Sequence, residues 1–199
     1  MAVSRFAERL LLKQDIEPLF DSIRKSLAVF LSQGRVSYPI PAGNSRTGAC
    51  GVFVTLLDKE GNVRGSMGFL GTTRQLNLAA IDCAIAAASE DPRYRHITLE
   101  ELDSITLELT LIRKVSGPHK DLSAVGDERV YGLYVEGPIN AGVLLPREIR
   151  AQSLTPERAL ARAFNKAGMQ PNNPAAKVYV FTARVFTQKG SSGEVVEMV

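Results

Sequence analysis

GVFVTLLDKEGNVRGSMGFLG, residues 51–71, is the stretch whose reading decides the fold. Cys50 to Leu57 is rich in β-branched and aromatic residues, Lys59-Glu60-Gly61-Asn62 is turn chemistry, and Val63 to Leu70 returns. This is the pattern of a β-hairpin. A two-residue reversal at Glu60-Gly61 places Val52 opposite Phe69, Val54 opposite Met67 and Leu56 opposite Gly65, which makes one apolar face. The other face then carries Phe53 opposite Gly68, Thr55 opposite Ser66 and Leu57 opposite Arg64. Arg64, Ser66 and Thr55 therefore cluster.

Downstream, Thr72 and Gln75 form a capping-box pattern for a helix running to about Glu90, apolar nearly all round and rich in alanine. Asp91-Pro92 ends it. Upstream, Ile16, Leu19, Phe20, Ile23, Leu27, Phe30 and Leu31 recur at three- and four-residue steps, so Asp15 to Gln33 is an amphipathic helix. Asp15 is its expected cap and Gly34 its end, and a shorter helix from Ser4 is expected before it. Thr98 and Glu101 form a second capping box. Ile105 to Leu111 alternates strictly, as a half-buried antiparallel strand does.

Residues 116–128 are polar and hold Gly117, Pro118 and Gly126, which suggests a loop at a junction to a second lobe. Val130 to Val135 and Ala141 to Leu145 are short strands, Thr155-Pro156 opens a helix closed by Gly168, and Val178 to Phe186 is the last strand. Residues 189–199 are expected to form a mobile tail. Hairpins mixed with helices, without βαβ alternation, predict an α+β fold: a largely antiparallel sheet with flanking helices and a smaller second lobe.

Composition narrows the function classes. Of 199 residues, 45% are hydrophobic and 23% charged, which is enough for a real core. The formal charge is +3, with lysine and arginine scattered, which argues against nucleic acid as a partner. The most apolar run, Leu76 to Ala88, is too short to span a bilayer, and no secretory leader is visible, so the reading is cytoplasmic with no membrane role. Two cysteines and two histidines stand at no metal-ligand spacing, so neither a metal nor a cofactor is expected. No Walker loop, dinucleotide fingerprint or Gly-x-Ser-x-Gly motif is present.

One polar pocket is suggested. Arg64, Ser66 and Thr55 lie on a strand that runs into the start of a helix, where unpaired N–H groups favour an anion, and Thr72 and Arg74 stand at that start. The plainer alternative is that these groups coat a solvated sheet face and cap a helix. Cys83, mid-helix among alanines, and Cys50 both read as structural.

Gly51-Val52-Phe53-Val54-Thr55-Leu56 followed by Val63-Arg64-Gly65-Ser66-Met67-Gly68 resembles the AMMECR domain family. Ala86-Ala87-Ala88, Asp91-Pro92-Arg93-Tyr94, Leu99-Glu100-Glu101-Leu102, Leu144-Leu145-Pro146 and Lys166-Ala167-Gly168 resemble it in the same order. The resemblance covers roughly residues 15–188 and implies a two-lobed α+β fold with a cleft between the lobes. It also implies a functional link to Memo-type and radical S-adenosylmethionine proteins. Arg64, Gly65 and Gly68 match the family motif, whereas Ser66 stands where the family has cysteine and Arg147 where it usually has glutamine.

Two functions follow as expectations. One is a small anionic ligand bound by an enzyme or enzyme subunit in the cleft, with Thr55, Arg64, Gly65, Ser66, Gly68, Thr72 and Arg74 as candidate ligand-binding residues. The other is a non-catalytic adaptor that binds a macromolecule through an exposed apolar patch.

Overall fold

A computed structural model describes residues 13–39, 49–119, 131–171 and 173–198. The expected helix from Ser4 lies outside these residues, as do 120–130, most of the expected junction. The elements are α1 (Lys13–Gln33), β1 (Gly51–Leu57), β2 (Val63–Phe69), α2 (Leu76–Ser89), α3 (Leu99–Leu102), β3 (Thr106–His119), β4 (Tyr131–Glu136), β5 (Ala141–Leu144), α4 (Pro146–Ala151), α5 (Pro156–Lys166), β6 (Lys177–Lys189) and β7 (Val195–Met198). Hydrogen-bonded strands run β2-β1-β3-β6-β4-β5, with β7 on β6. The β1–β2, β4–β5, β4–β6 and β6–β7 pairs are antiparallel, so the α+β fold with flanking helices is present.

The chain divides into two compact units, one of Met1–Leu111 with Val185–Met198, the other of Ile112–Arg184. In the first, α1 buries Ile16, Leu19, Phe20, Ile23 and Leu27 almost completely. Each such side chain contributes roughly 1.5–3 kcal/mol relative to exposure, so packing rather than propensity fixes this helix, with Pro18 inside it. Helix α2 packs against α1, β1 and β2. Its Ala79, Ala80, Ala84, Ala87 and Ala88 are all buried, and small side chains bring its backbone close to the hairpin. The second unit gathers Leu133, Val135, Leu144, Ile149, Ala159, Ala163, Phe164, Val178 and Val180 into its own core beneath α5.

Several expectations need correction. The hairpin reverses through three residues, not two. Gly61 N–H donates to Asp58 O at 3.1 Å, Asp58 N–H donates to Asn62 O at 2.9 Å, and Gly61 takes φ +86°, the left-handed conformation that such a loop requires. Leu57 therefore pairs with Val63, not Arg64. Arg64 is then an extra residue without a partner on β1, a β-bulge, and beyond it Leu56↔Gly65, Thr55↔Ser66, Val54↔Met67, Phe53↔Gly68 and Val52↔Phe69 stand in the expected register. The bulge absorbs the residue that the longer turn adds.

Thr72 does not cap α2. Its hydroxyl accepts from Arg74 N–H at 3.0 Å within its own turn, and the helix starts at Leu76 behind Gln75. In β3 the expected solvent face is buried too, with Glu108 and Thr110 as enclosed as the leucines, so both faces of this strand are covered. Strand β3 also runs on to His119, into the expected loop. Residues Val195–Met198, where a tail is expected, pair with β6 as β7. Helix α1 starts at Lys13, so Asp15 falls inside it. Helix α4, which the sequence reading leaves undescribed, opens at Pro146.

Candidate functional site

The hairpin face bearing Val52, Val54, Leu56 and Met67 belongs to the core shared with α1 and α2. Gly65 lies on that same face, and the carbonyl of Ala87 in α2 occupies the space a side chain there would need. The opposite face carries Thr55 and Ser66, whose hydroxyls are 2.9 Å apart. The expected cluster thus forms at these two residues.

Around it stands a set of charged groups. Asp91, just past the end of α2, is 4% exposed, and its Oδ2 accepts from Ser66 N–H at 2.9 Å. Arg93 Nη2 donates to Ser66 O at 3.2 Å and to Asp91 Oδ2 at 2.6 Å, and its Nε donates to Asp91 Oδ1 at 2.8 Å. Two side chains thereby take the place of a neighbouring strand on the β2 edge. Arg64 pairs with Glu101 Oε1, while Glu101 Oε2 accepts from Thr98 N–H at 2.9 Å. Arg64 Nη2 is buried without a hydrogen-bond partner.

Both carboxyls lie below their ordinary values. For Asp91, burial pushes upward, but the hydrogen bonds from Arg93 and Ser66 N–H outweigh it. For Glu101 the Arg64 hydrogen bond dominates over burial. A depressed folded pKa means stability that is present above the unfolded value, near ~4, and lost as pH falls through the folded one. Urea titrations from about pH 6 to about pH 3 should show that acid loss, and Arg64→Met should shrink it through Glu101. An unchanged slope in the variant would detach Glu101 from Arg64.

Thr72 and Arg74 lie elsewhere, past the far end of β2, whose seven residues span roughly 20 Å. There a cavity of about 640 Å³ is lined by Cys50, Phe69, Gly71, Thr72, Thr73, Arg74 and Asp82. Arg74 pairs with Asp82 Oδ2, and Tyr38 O–H donates to Asp82 Oδ1 at 2.6 Å. That hydrogen bond, with burial, raises the Tyr38 pKa. A second cavity of about 270 Å³ lies between β2 and α2, lined by Met67, Gly68 and Phe69 on one side and Asp82, Ile85, Ala86 and Glu90 among others on the other.

The seven candidates therefore occupy separate places. Arg64 stands next to the turn, Thr55 and Ser66 at mid-strand, and Thr72 and Arg74 past the far end of β2, with Gly65 under α2 and Gly68 on the β2 edge. The sequence reading missed Asp91, Arg93, Glu101 and Asp82. Asp91-Pro92-Arg93 reads in sequence as a helix end and as part of the family resemblance, and nothing local reveals that it reaches a strand 25 residues earlier. Cys83 is buried and its thiol is pushed up to about 12, by burial and then by the charge of Asp82. Among the described residues no group of three or more metal-binding side chains comes together, and no helix is long and apolar enough to cross a membrane.

The comparisons with known proteins agree with one another. A protein of Methanosarcina acetivorans is 35% identical over 183 residues, covering 87% of this chain and 92% of that one. A protein of Methanothermobacter thermautotrophicus is 37% identical over 70% of this chain and 76% of its own length. The crystal structure of the uncharacterized protein PH0010 from Pyrococcus horikoshii superposes with a TM-score of 0.84 at 28% identity, covering 94% of this chain and 98% of that one. The AMMECR1 family model matches residues 20–186, and with it the fold and the ordered motifs converge: the chain belongs to the AMMECR1 family.

Proposed function

We propose that the chain is a binding module for a macromolecular partner, acting through the surface between β2 and α2. One observation carries this reading. Both arginines among the candidate residues are neutralised by carboxylates of the chain itself, Arg64 by Glu101 and Arg74 by Asp82. An incoming anion would have to displace an existing ion pair at either place. Phe69, by contrast, is 50% exposed and lies in both cavities. With Met67, Ile85 and Ala86 lining the groove beside it, this ring is part of a contiguous apolar surface, which favours a partner over an ion.

A second reading retains the small anionic ligand. The cavity of about 640 Å³ at Thr72 and Arg74 is in the size range of small-molecule sites, and the first turn of α2 above it has no side-chain cap. On this reading Thr72 and Arg74 bind the anionic group, while Thr55, Arg64, Gly65, Ser66 and Gly68 shape the strand.

Affinity purification with the purified chain as bait separates the two. A stoichiometric partner lost with Phe69→Glu and kept with Arg64→Gln supports the module; Memo-type and radical S-adenosylmethionine proteins are the first partners to try. Thermal stabilisation by a carboxylate or phosphate metabolite, abolished by Arg74→Gln and indifferent to Phe69→Glu, would replace this reading with the second.

A further inference from the structure

The edge of β2 is closed at one place and open at the next. Ser66 turns its N–H and C=O away from β1, because Asp91 and Arg93 bond them there. In an antiparallel pair this outward orientation recurs every second residue, so Gly68 also presents its N–H and C=O outward. Among the described residues, no side chain takes up the Gly68 groups as Asp91 and Arg93 take up those of Ser66. Beside that open position lies the cavity of about 270 Å³, with Met67 and Phe69 on the strand side and Ile85 and Ala86 on the helix side. A strand edge with unpaired backbone groups, a helix running beside it and an apolar groove between them is the geometry that receives an extended peptide as an added strand.

The charges indicate what kind of peptide. The groove wall carries Asp82 and Glu90 and no lysine or arginine. Asp82 is already paired with Arg74, but Glu90 is exposed and forms no ion pair among the described residues. A second copy of this chain would bring the same acidic wall against itself, which is unfavourable.

We propose that the β2 edge at Gly68 binds an extended segment of a partner protein, with alternate apolar side chains in the β2–α2 groove and a lysine or arginine beside Glu90. This rests on the module reading above and names the chemistry of its partner. Asp91 and Arg93 set the limit of the added strand, because the edge is already occupied at Ser66.

Random peptides displayed on phage, selected against the full-length chain, provide the test. Enrichment of sequences that alternate apolar residues next to a basic one is the expected result. In the fluorescein-labelled enriched peptide, N-methylation at one backbone position should weaken binding about tenfold, the effect of one lost hydrogen bond with the added methyl in the way. Glu90→Lys should weaken it several-fold, and the Gly68 amide should exchange more slowly in the complex. Binding that survives N-methylation at every position, or leaves Gly68 exchange unchanged, overturns the proposal. So does a selection that enriches nothing, or slowed Gly68 exchange through self-association with no peptide competing. If Phe69→Glu still abolishes a stoichiometric partner while no peptide protects Gly68, the module stands and the strand pairing falls. If neither effect is seen, both fall.

Discussion

Replacing Gly65 with valine is expected to destabilise the first unit by about 3 kcal/mol or more, the upper range for forcing extra atoms into a packed interior. A Cβ at this position would stand 1.8 Å from the carbonyl oxygen of Ala87 and 2.8 Å from its carbon. Both atoms are helix backbone, which cannot swing aside as a flexible side chain would. Relief would require α2 to lift off the hairpin. That would open a gap along the row of buried alanines, whose small side chains permit the close approach in the first place. Gly65→Ala should already show most of the effect, because the first carbon makes the contact. Urea denaturation of both variants checks this, and an alanine variant within about 1 kcal/mol of the parent would mean that α2 accommodates the carbon freely.

Arg24→Ala should cost about 3 kcal/mol or more, because it leaves several buried acceptors unsatisfied at roughly 1–3 kcal/mol each. The guanidinium is 8% exposed and sits where α1 meets the start of β3 and the end of β6. Its Nε donates to Gln188 Oε1 at 2.6 Å, and Nη2 donates to Ile105 O at 3.0 Å and Gln188 O at 3.2 Å. Nη1 reaches Leu102 O at 3.3 Å. Burial pushes the group down to about 10, against the pull of Asp103 and Asp21, so it remains a cation at neutral pH. Without it, three backbone carbonyls lose a charged donor in a place water reaches poorly. Arg24→Met, which keeps much of the volume, separates the two contributions. A methionine variant as stable as the parent would show that packing, not hydrogen bonding, is what position 24 supplies.

How much of this was legible beforehand depended on the range of the interactions. The hairpin register from Val52↔Phe69 to Leu56↔Gly65, the amphipathic α1 and the helix behind Thr155 follow from period and turn chemistry, which are local, and the structure has them, whereas the loop length and the Leu57 pairing differ. Thr155 indeed accepts from Arg158 N–H at 3.4 Å. The burial of Glu108 and Thr110 was illegible, because alternation reports a difference between two faces and cannot tell that both are covered. Arg24 reads in sequence as a polar position on a helix, and only its distant partners make it a buried cation. The candidate residues were legible as a neighbourhood but not as a site. The pairings that neutralise Arg64 and Arg74 join residues 37 and 8 positions apart, and one of them crosses elements. Strand β7 was missed because Gly190-Ser191-Ser192-Gly193 reads as linker when its four-residue continuation has no visible partner.

The extra residue at Arg64 and the three-residue loop before it form a matched pair. A homologue or designed variant that trims the loop by one residue can keep Ser66 across from Thr55 only by flattening the kink. The guanidinium would then lose the offset that carries it to Glu101. Loop length at one tip thus governs a salt bridge between β2 and α3, and grafts into this hairpin should move the tip and the kink together.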